Sequence, residues 1–134
     1  VGRKFAFALV AVSLIVACQR SPTDPTDDRP RGVLFGLVII GPNCPVEQQG
    51  QECPPPLDAY QIRKVLVYDA AKTKVLFTVD IDGRGAYRAI LLPGNYTVDM
   101  RRVGIDSSPD VPAVVTIHAN AETKLDIHID PGIR

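Results

Sequence analysis

The chain has 134 residues, enough for one domain of ordinary size. Fifteen Lys and Arg balance fifteen Asp and Glu. That excludes the basic excess of a nucleic-acid binder and the acidic tail of a protein with a cationic partner. With no Trp and four Tyr, the chain is poorly supplied with aromatic surface for stacking bases.

The first twenty residues read VGRKFAFALVAVSLIVACQR. Arg3 and Lys4 precede an apolar run from Phe5 to Ala17, interrupted only by Ser13. As a helix this run spans about 20 Å at roughly 1.5 Å per residue, against about 30 Å for a bilayer core. It is short for a membrane span and has the length and flanks of a secretory signal.

Ile15, Val16, Ala17 and Cys18 follow at its end and resemble the lipobox of bacterial lipoproteins. The resemblance implies that residues 1–17 are cleaved and that the Cys18 thiol carries a diacylglycerol thioether. It also implies that the new amino terminus is acylated, with palmitate or a similar chain. Two or three acyl chains, at about 0.8 kcal/mol per buried CH₂, anchor a protein to a membrane that it does not cross. The implied location is the bacterial cell envelope outside the cytoplasm: the outer face of the inner membrane, the outer membrane or the cell surface. Loss of Arg3 and Lys4 leaves 13 basic and 15 acidic groups, a formal charge of −2.

From Cys18 to Arg31 the chain is a Pro- and Asp-rich tether, QRSPTDPTDDRPR after the cysteine. Its composition predicts an extended, solvated segment of about 3.1 Å per residue. Asp24, Asp27 and Asp28 sit without glycine turns and make a poor cation cage.

The stretch GPNCPVEQQGQECPPP (41–56) holds Cys44 and Cys53. In a translocated lipoprotein Cys18 is taken by lipid, and the remaining pair lies where disulfides persist. Zinc wants four ligands at tighter spacing, and the two histidines lie more than sixty residues downstream. Redox chemistry wants C-x-x-C. The pair therefore reads as a disulfide, Cys44 to Cys53.

Residues 32–134 alternate apolar runs with turn chemistry. The runs are 32–40, 60–70, 74–80, 86–92, 96–103, 112–119 and 122–130, the last two expected as a hairpin. Tyr96, Val98 and Met100 alternate with Thr97, Asp99 and Arg101, and Leu125, Ile127 and Ile129 with Asp126, His128 and Asp130. Each such strand is expected to have one core face and one wet face. Seven runs predict an all-β, seven-stranded antiparallel β-sandwich. At Pro93 and Gly94 the Pro-Gly order predicts a type II turn with Gly at positive φ.

The segment VDIDGRGAYRAILLPGNYTVDM (79–100) resembles the carboxypeptidase regulatory-like domain, a transthyretin-like (prealbumin-like) sandwich. Asp80, Gly83, Tyr87, Leu92, Pro93, Gly94 and Tyr96 match that family's run, although Gly94 follows Pro93 directly where the family has one residue between. The GPNCPV stretch, Cys53 and the GIR ending (132–134) also resemble small secreted bacterial lipoproteins. These likenesses imply fold more than function, since one sandwich hosts many roles.

Possible chemistry is sparse. Asp80 and Asp82 before Gly83 suggest a calcium loop, but its fifth and twelfth places hold Arg84 and Leu91, which cannot coordinate as an EF-hand requires. An Asp-stabilised turn is the reading adopted. His118 and His128, placed on a hairpin, would lie about 14 Å apart at ~3.4 Å per residue, too far for one metal. Ser107 and Ser108 lack nucleophile context. Arg63, Lys64, Arg101 and Arg102 form a basic patch only if their strands are neighbours.

The sequence thus predicts a lipid-anchored envelope sandwich acting as a non-catalytic binding or structural module, with no cofactor. Its expected partners are the membrane, through lipid, and an envelope protein or polysaccharide. The competing readings are a small hydrolase or metal-dependent enzyme on the same fold, and a subunit that docks by strand addition. Replacing Cys18 with Ser should abolish lipid labelling and normal signal cleavage in bacterial cells. Equal labelling of Cys18→Ser and wild type would refute the anchor.

Overall fold

The computed structural model describes residues 28–45, 50 and 53–133. The expected signal helix, Cys18 and the tether through residue 27 lie outside the described residues. Eight strands follow: β1 (Gly32–Ile40), β2 (Lys64–Asp69), β3 (Val75–Val79), β4 (Ala86–Leu91), β5 (Gly94–Arg101), β6 (Ala113–Ile117), β7 (Glu122–Lys124) and β8 (Ile127–Ile129). Each expected run contains strand. The count is eight because the last run breaks in two. The second run becomes strand only at Lys64, since the amides of Ala59 and Arg63 donate to the Pro56 and Tyr60 carbonyls and close a turn before it.

The strands form two sheets. One has the order β4–β1–β7 with β8 also on β1, and the other is β3–β2–β5–β6. Their inner faces meet in one core. Leu34 and Val38 of β1, Leu91 of β4 and Ile127 of β8 lie on one side. Val65 and Val67 of β2, Val98 of β5 and Ile117 of β6 lie on the other. The chain is a β-sandwich, as expected.

Its connections differ from expectation at the C-terminal end. β6 pairs antiparallel with β5, Gly94 opposite Ile117. β7 and β8 belong to the other sheet, where both pair with β1 in parallel. No hairpin joins β6 to β7. Asn120, at φ 56°, turns the chain across the sandwich, and its N–H donates to the Arg31 carbonyl at 2.9 Å. Asn tolerates that left-handed backbone better than most residues, and a parallel pair requires such a crossover.

The break between β7 and β8 has a local cause. Leu125 donates its N–H to Phe35, and then the Asp126 side chain, not a backbone carbonyl, accepts the Leu37 N–H at 2.9 Å. The Tyr87 hydroxyl caps the Leu125 carbonyl at 2.5 Å. Gly36 makes room for this: a Cβ there would lie 1.9 Å from the Leu125 oxygen.

The other sheet-to-sheet corner lies between β4 and β5. The buried Tyr96 hydroxyl donates to the Leu92 carbonyl at 2.7 Å, the bond that defines a tyrosine corner. Gly94 has φ 154° and, as the first residue of β5, already pairs with Ile117 of β6. The expected type II turn is therefore replaced by a bend that carries the chain from one sheet to the other.

Gly36→Ala should destabilise the fold by about 3 kcal/mol or more, because the clash is with backbone. Gly83→Ala, with nothing within 4 Å of its Cβ position, should stay within about 0.5 kcal/mol. Urea unfolding of both variants provides the comparison.

Candidate functional site

β1 delivers the chain at Ile40 into the loop closed by Cys44 and Cys53. The two cysteines form a disulfide with a Cα–Cα distance of 6.0 Å. The loop is held to the sandwich where Gly41 donates to Ile129 and Asn43 donates to Ile40. Beyond Cys53 the chain turns through residues 57–62 to Arg63.

Arg63 shares the period-2 phase of Val65 and Val67, so its side chain points inward. There it meets Asp106 from the β5–β6 loop in a two-pronged ion pair, 2.7 and 2.8 Å. A third guanidinium N–H reaches the Ala59 carbonyl at 2.8 Å. Both residues are buried. Burial alone would raise the Asp106 carboxyl. The Arg63 hydrogen bonds, the Val103 N–H and the nearby positive charge outweigh it, and the group sits below the ordinary carboxylate value. A buried, hydrogen-bonded pair of this kind is costly to break from one side. It locks two loops together and is spent on structure.

The basic patch is divided in the same way. β2 and β5 are neighbours, with Lys64 opposite Arg101. Arg63 is buried on Asp106, Lys64 reaches Asp80 at 2.6 Å, and Arg102 lies 4.0 Å from Asp99. Asp99 and Thr97, expected on a wet face, are buried. The β2–β3 turn folds over them: Thr97 donates to the Ala70 carbonyl at 2.9 Å, and Lys72 reaches Asp99 at 2.5 Å. Lys72, at φ 57°, stands over the Tyr68 ring at 5.6 Å.

In the Asp80–Gly85 turn the two carboxylates serve different partners. Asp80 takes Lys64, while Asp82 accepts the N–H groups of Ala86 and Arg84 at 2.9 and 2.8 Å. Those two backbone bonds hold the Asp82 carboxyl below its ordinary value. Gly83 is open to solvent; Gly85, at φ 87°, packs against the Val38 carbonyl. The turn connects β3 to β4 in different sheets, so it is not a hairpin.

His118 lies by Gly32, whose Cβ position is 2.2 Å from the His118 carbonyl. His128 pairs with Ile39. Seven residues of β1 separate them, about 23 Å, and the hairpin geometry expected for them does not occur. His128 Nδ1 lies 2.9 Å from Asp110, which also accepts the His128 backbone N–H at 2.7 Å. The backbone bond, then the ring, hold Asp110 below its ordinary value. Ser108 accepts the Asp110 N–H and Ser107 pairs by backbone with Asp130. Among the described residues, no three His, Cys, Asp or Glu side chains converge to hold a metal ion.

Two open clefts lie at opposite ends of the sandwich. One, about 310 Å³, is bordered by Asp69, Leu92 and Tyr96. The other, about 370 Å³, lies between the Pro54–Pro56 run, Tyr60 and Arg84. A further apolar feature is the outer face of the β4–β1–β7/β8 sheet. Val33, Phe35, Leu37 and Ile39 point outward along β1, with Ile90 of β4 beside Val33. Leu37 is 42 % exposed, Ile39 43 % and Ile90 57 %. Exposed apolar side chains grouped on one face are a common feature of contact surfaces.

No family model matches the chain, and no curated protein matches it in sequence. Solved structures do match. One is a DUF3823 family protein from Parabacteroides merdae, 21 % identical over 76 % of this chain and 47 % of that one, with a TM-score of 0.44. Another is GBS52, the minor pilin of Streptococcus agalactiae, 15 % identical over 75 % of this chain and 44 % of that one, with a TM-score of 0.51. The pilin likeness is one of fold, and the chain spans less than half the length of either structure.

Asp106→Asn should cost about 3 kcal/mol at pH 7 by stranding Arg63. Because the Asp106 value is lowered in the fold, its stabilisation is present above its unfolded value of about 3.9 and is lost as pH falls through the folded one. The gap between wild type and variant, read by urea unfolding, should therefore narrow below about pH 4. A gap constant from pH 7 to pH 3 would contradict this assignment.

Proposed function

We propose that the protein is a lipid-anchored β-sandwich of the bacterial envelope, acting as a non-catalytic binding or structural module outside the cytoplasm. The observation that carries the proposal is the apolar outer face of β1, which no other layer covers among the described residues. Several charged side chains elsewhere are occupied: Arg63 on Asp106, Lys72 on Asp99, Lys64 on Asp80 and Asp82 on its own turn. The apolar face has no such internal use.

The location draws support from the disulfide, which persists in oxidising compartments, and from the lipobox resemblance at Cys18. The likeness to a minor pilin agrees with a surface module at the level of fold. The enzyme reading would centre on the Asp110–His128 pair.

Leu37→Lys with Ile39→Lys should leave thermal stability within a few degrees, because both positions are solvent-facing. The same pair should shift the native, detergent-solubilised protein from a complex to a monomer. An unchanged complex, or a monomeric wild type, would refute this face as a contact. Stoichiometric zinc or iron binding that is lost in His118→Gln with His128→Gln would replace the module reading with the enzyme.

A further inference from the structure

Arg63, Lys64, Arg101 and Arg102 come together where β2 begins and β5 ends, because Lys64 lies opposite Arg101. Lys72 reaches into the same corner from the β2–β3 turn. Three carboxylates share it, and each already holds a cation: Asp106 holds Arg63, Asp80 holds Lys64 and Asp99 holds Lys72. Burial alone would raise the Asp99 carboxyl. The Lys72 hydrogen bond, the Met100 N–H and the charges of Lys72 and Arg102 outweigh it, and the group sits below its ordinary value. Asp99 therefore counts as a full negative charge.

Arg101 and Arg102 are left over. Arg102 lies 4.0 Å from Asp99, against 2.5 Å for Lys72. Arg101 is exposed and makes no ion pair among the described residues. Asp110, the next carboxylate after Asp106, is held on the other sheet by the amide and ring of His128. At the far end of β2, Asp69 is bound into its own turn by the amides of Thr73 and Lys74. The opposite sheet shows the contrast, since Arg88 there holds Glu122 and Lys124 holds Asp126.

The excess positive charge is thus local to one corner of a chain that is balanced overall. It also has a cost. Lys64 and Arg101 project from the same face of neighbouring strands, and like charges directly opposite each other destabilise a sheet. An anion seated between them relieves that repulsion.

We infer that this corner binds the acidic groups of an envelope polysaccharide, with Arg101 and Arg102 as the main contacts and Lys64 beside them. A guanidinium fork suits a carboxylate or phosphate in two-point contact. The polymer follows from the shape of the site. Neither open cleft includes Lys64 or Arg101, so the ligand is held by charge on an open surface, where a repeating anion gains from multiple engagement. The headgroups of the anchoring membrane fit less well. β5 starts at Gly94, beside the cleft that Arg29 of the tether borders, and Arg101 lies about 24 Å further along the strand. The corner therefore faces away from the end where the tether enters. The choice of a polysaccharide rests on the envelope reading; the charge excess does not.

The test uses the full chain in detergent and immobilised alginate, a polymer of uronic acids. Wild type should be retained at low ionic strength and released at about 1 M salt, where the screening length is about 3 Å. Arg101→Glu with Arg102→Gln should weaken retention about tenfold. Its thermal midpoint should hold or rise, since a carboxylate opposite Lys64 makes a favourable cross-strand pair. Arg88→Glu, on the balanced sheet, should bind as wild type does. Equal loss in Arg88→Glu would reduce the effect to net charge and overturn the site. Retention on polyphosphate or polyglutamate without alginate overturns the polysaccharide as partner. No retention on any of the three overturns the anion site, and leaves the Cys18 anchor and the β1 face to their own tests.

Discussion

β1 hydrogen-bonds on both sides within one sheet, antiparallel to β4 and parallel to β7 and β8. The constraint that makes this possible is the missing side chain at Gly36, where the Leu125 carbonyl comes too close for any Cβ. Around that contact the last strand breaks, and Asp126 lends a side-chain oxygen to the ladder while Tyr87 caps the displaced carbonyl. Burial and the negative Asp126 nearby push the Tyr87 hydroxyl well above its ordinary value, so it stays a donor at any physiological pH. The β4–β1–β7/β8 sheet is assembled on this point.

The ends of the sandwich are secured by different means. At one end a tyrosine corner turns β4 into β5, an apolar ring with one satisfied hydroxyl. At the other, a disulfide closes the Cys44–Cys53 loop and a buried Arg63–Asp106 pair ties the β1–β2 connection to the β5–β6 loop. Those loops have few core side chains of their own, so covalent and ionic links substitute for packing. The cost is inflexibility in charge, since neither partner of the buried pair can be lost alone.

Much of this was legible in the sequence. Each strand-like run contains strand, because alternation reports a half-buried surface directly. The pairing of the last two runs was not legible. Leu125, Ile127 and Ile129 keep their period across the break, so the alternation conceals it, and adjacency in sequence favours a hairpin over a crossover. The burial of Thr97 and Asp99 was hidden for a related reason: it depends on where the Lys72 turn folds. Arg63 did carry a signal, a charge in phase with Val65 and Val67. β1 carried another, since its unbroken apolar run has no polar set for a wet face.

The parallel pairing of β1 with β8 has a mechanical consequence. The chain enters β1 at Gly32 and leaves β8 at Ile129, opposite Ile40, so entry and exit lie at opposite ends of adjoining parallel strands. Tension applied through the flanking residues acts along the strands. It loads the β1–β7 and β1–β8 hydrogen bonds together in shear, whereas a hairpin pulled at its open end unzips one bond at a time. A sandwich wired this way yields only when the whole seam slides.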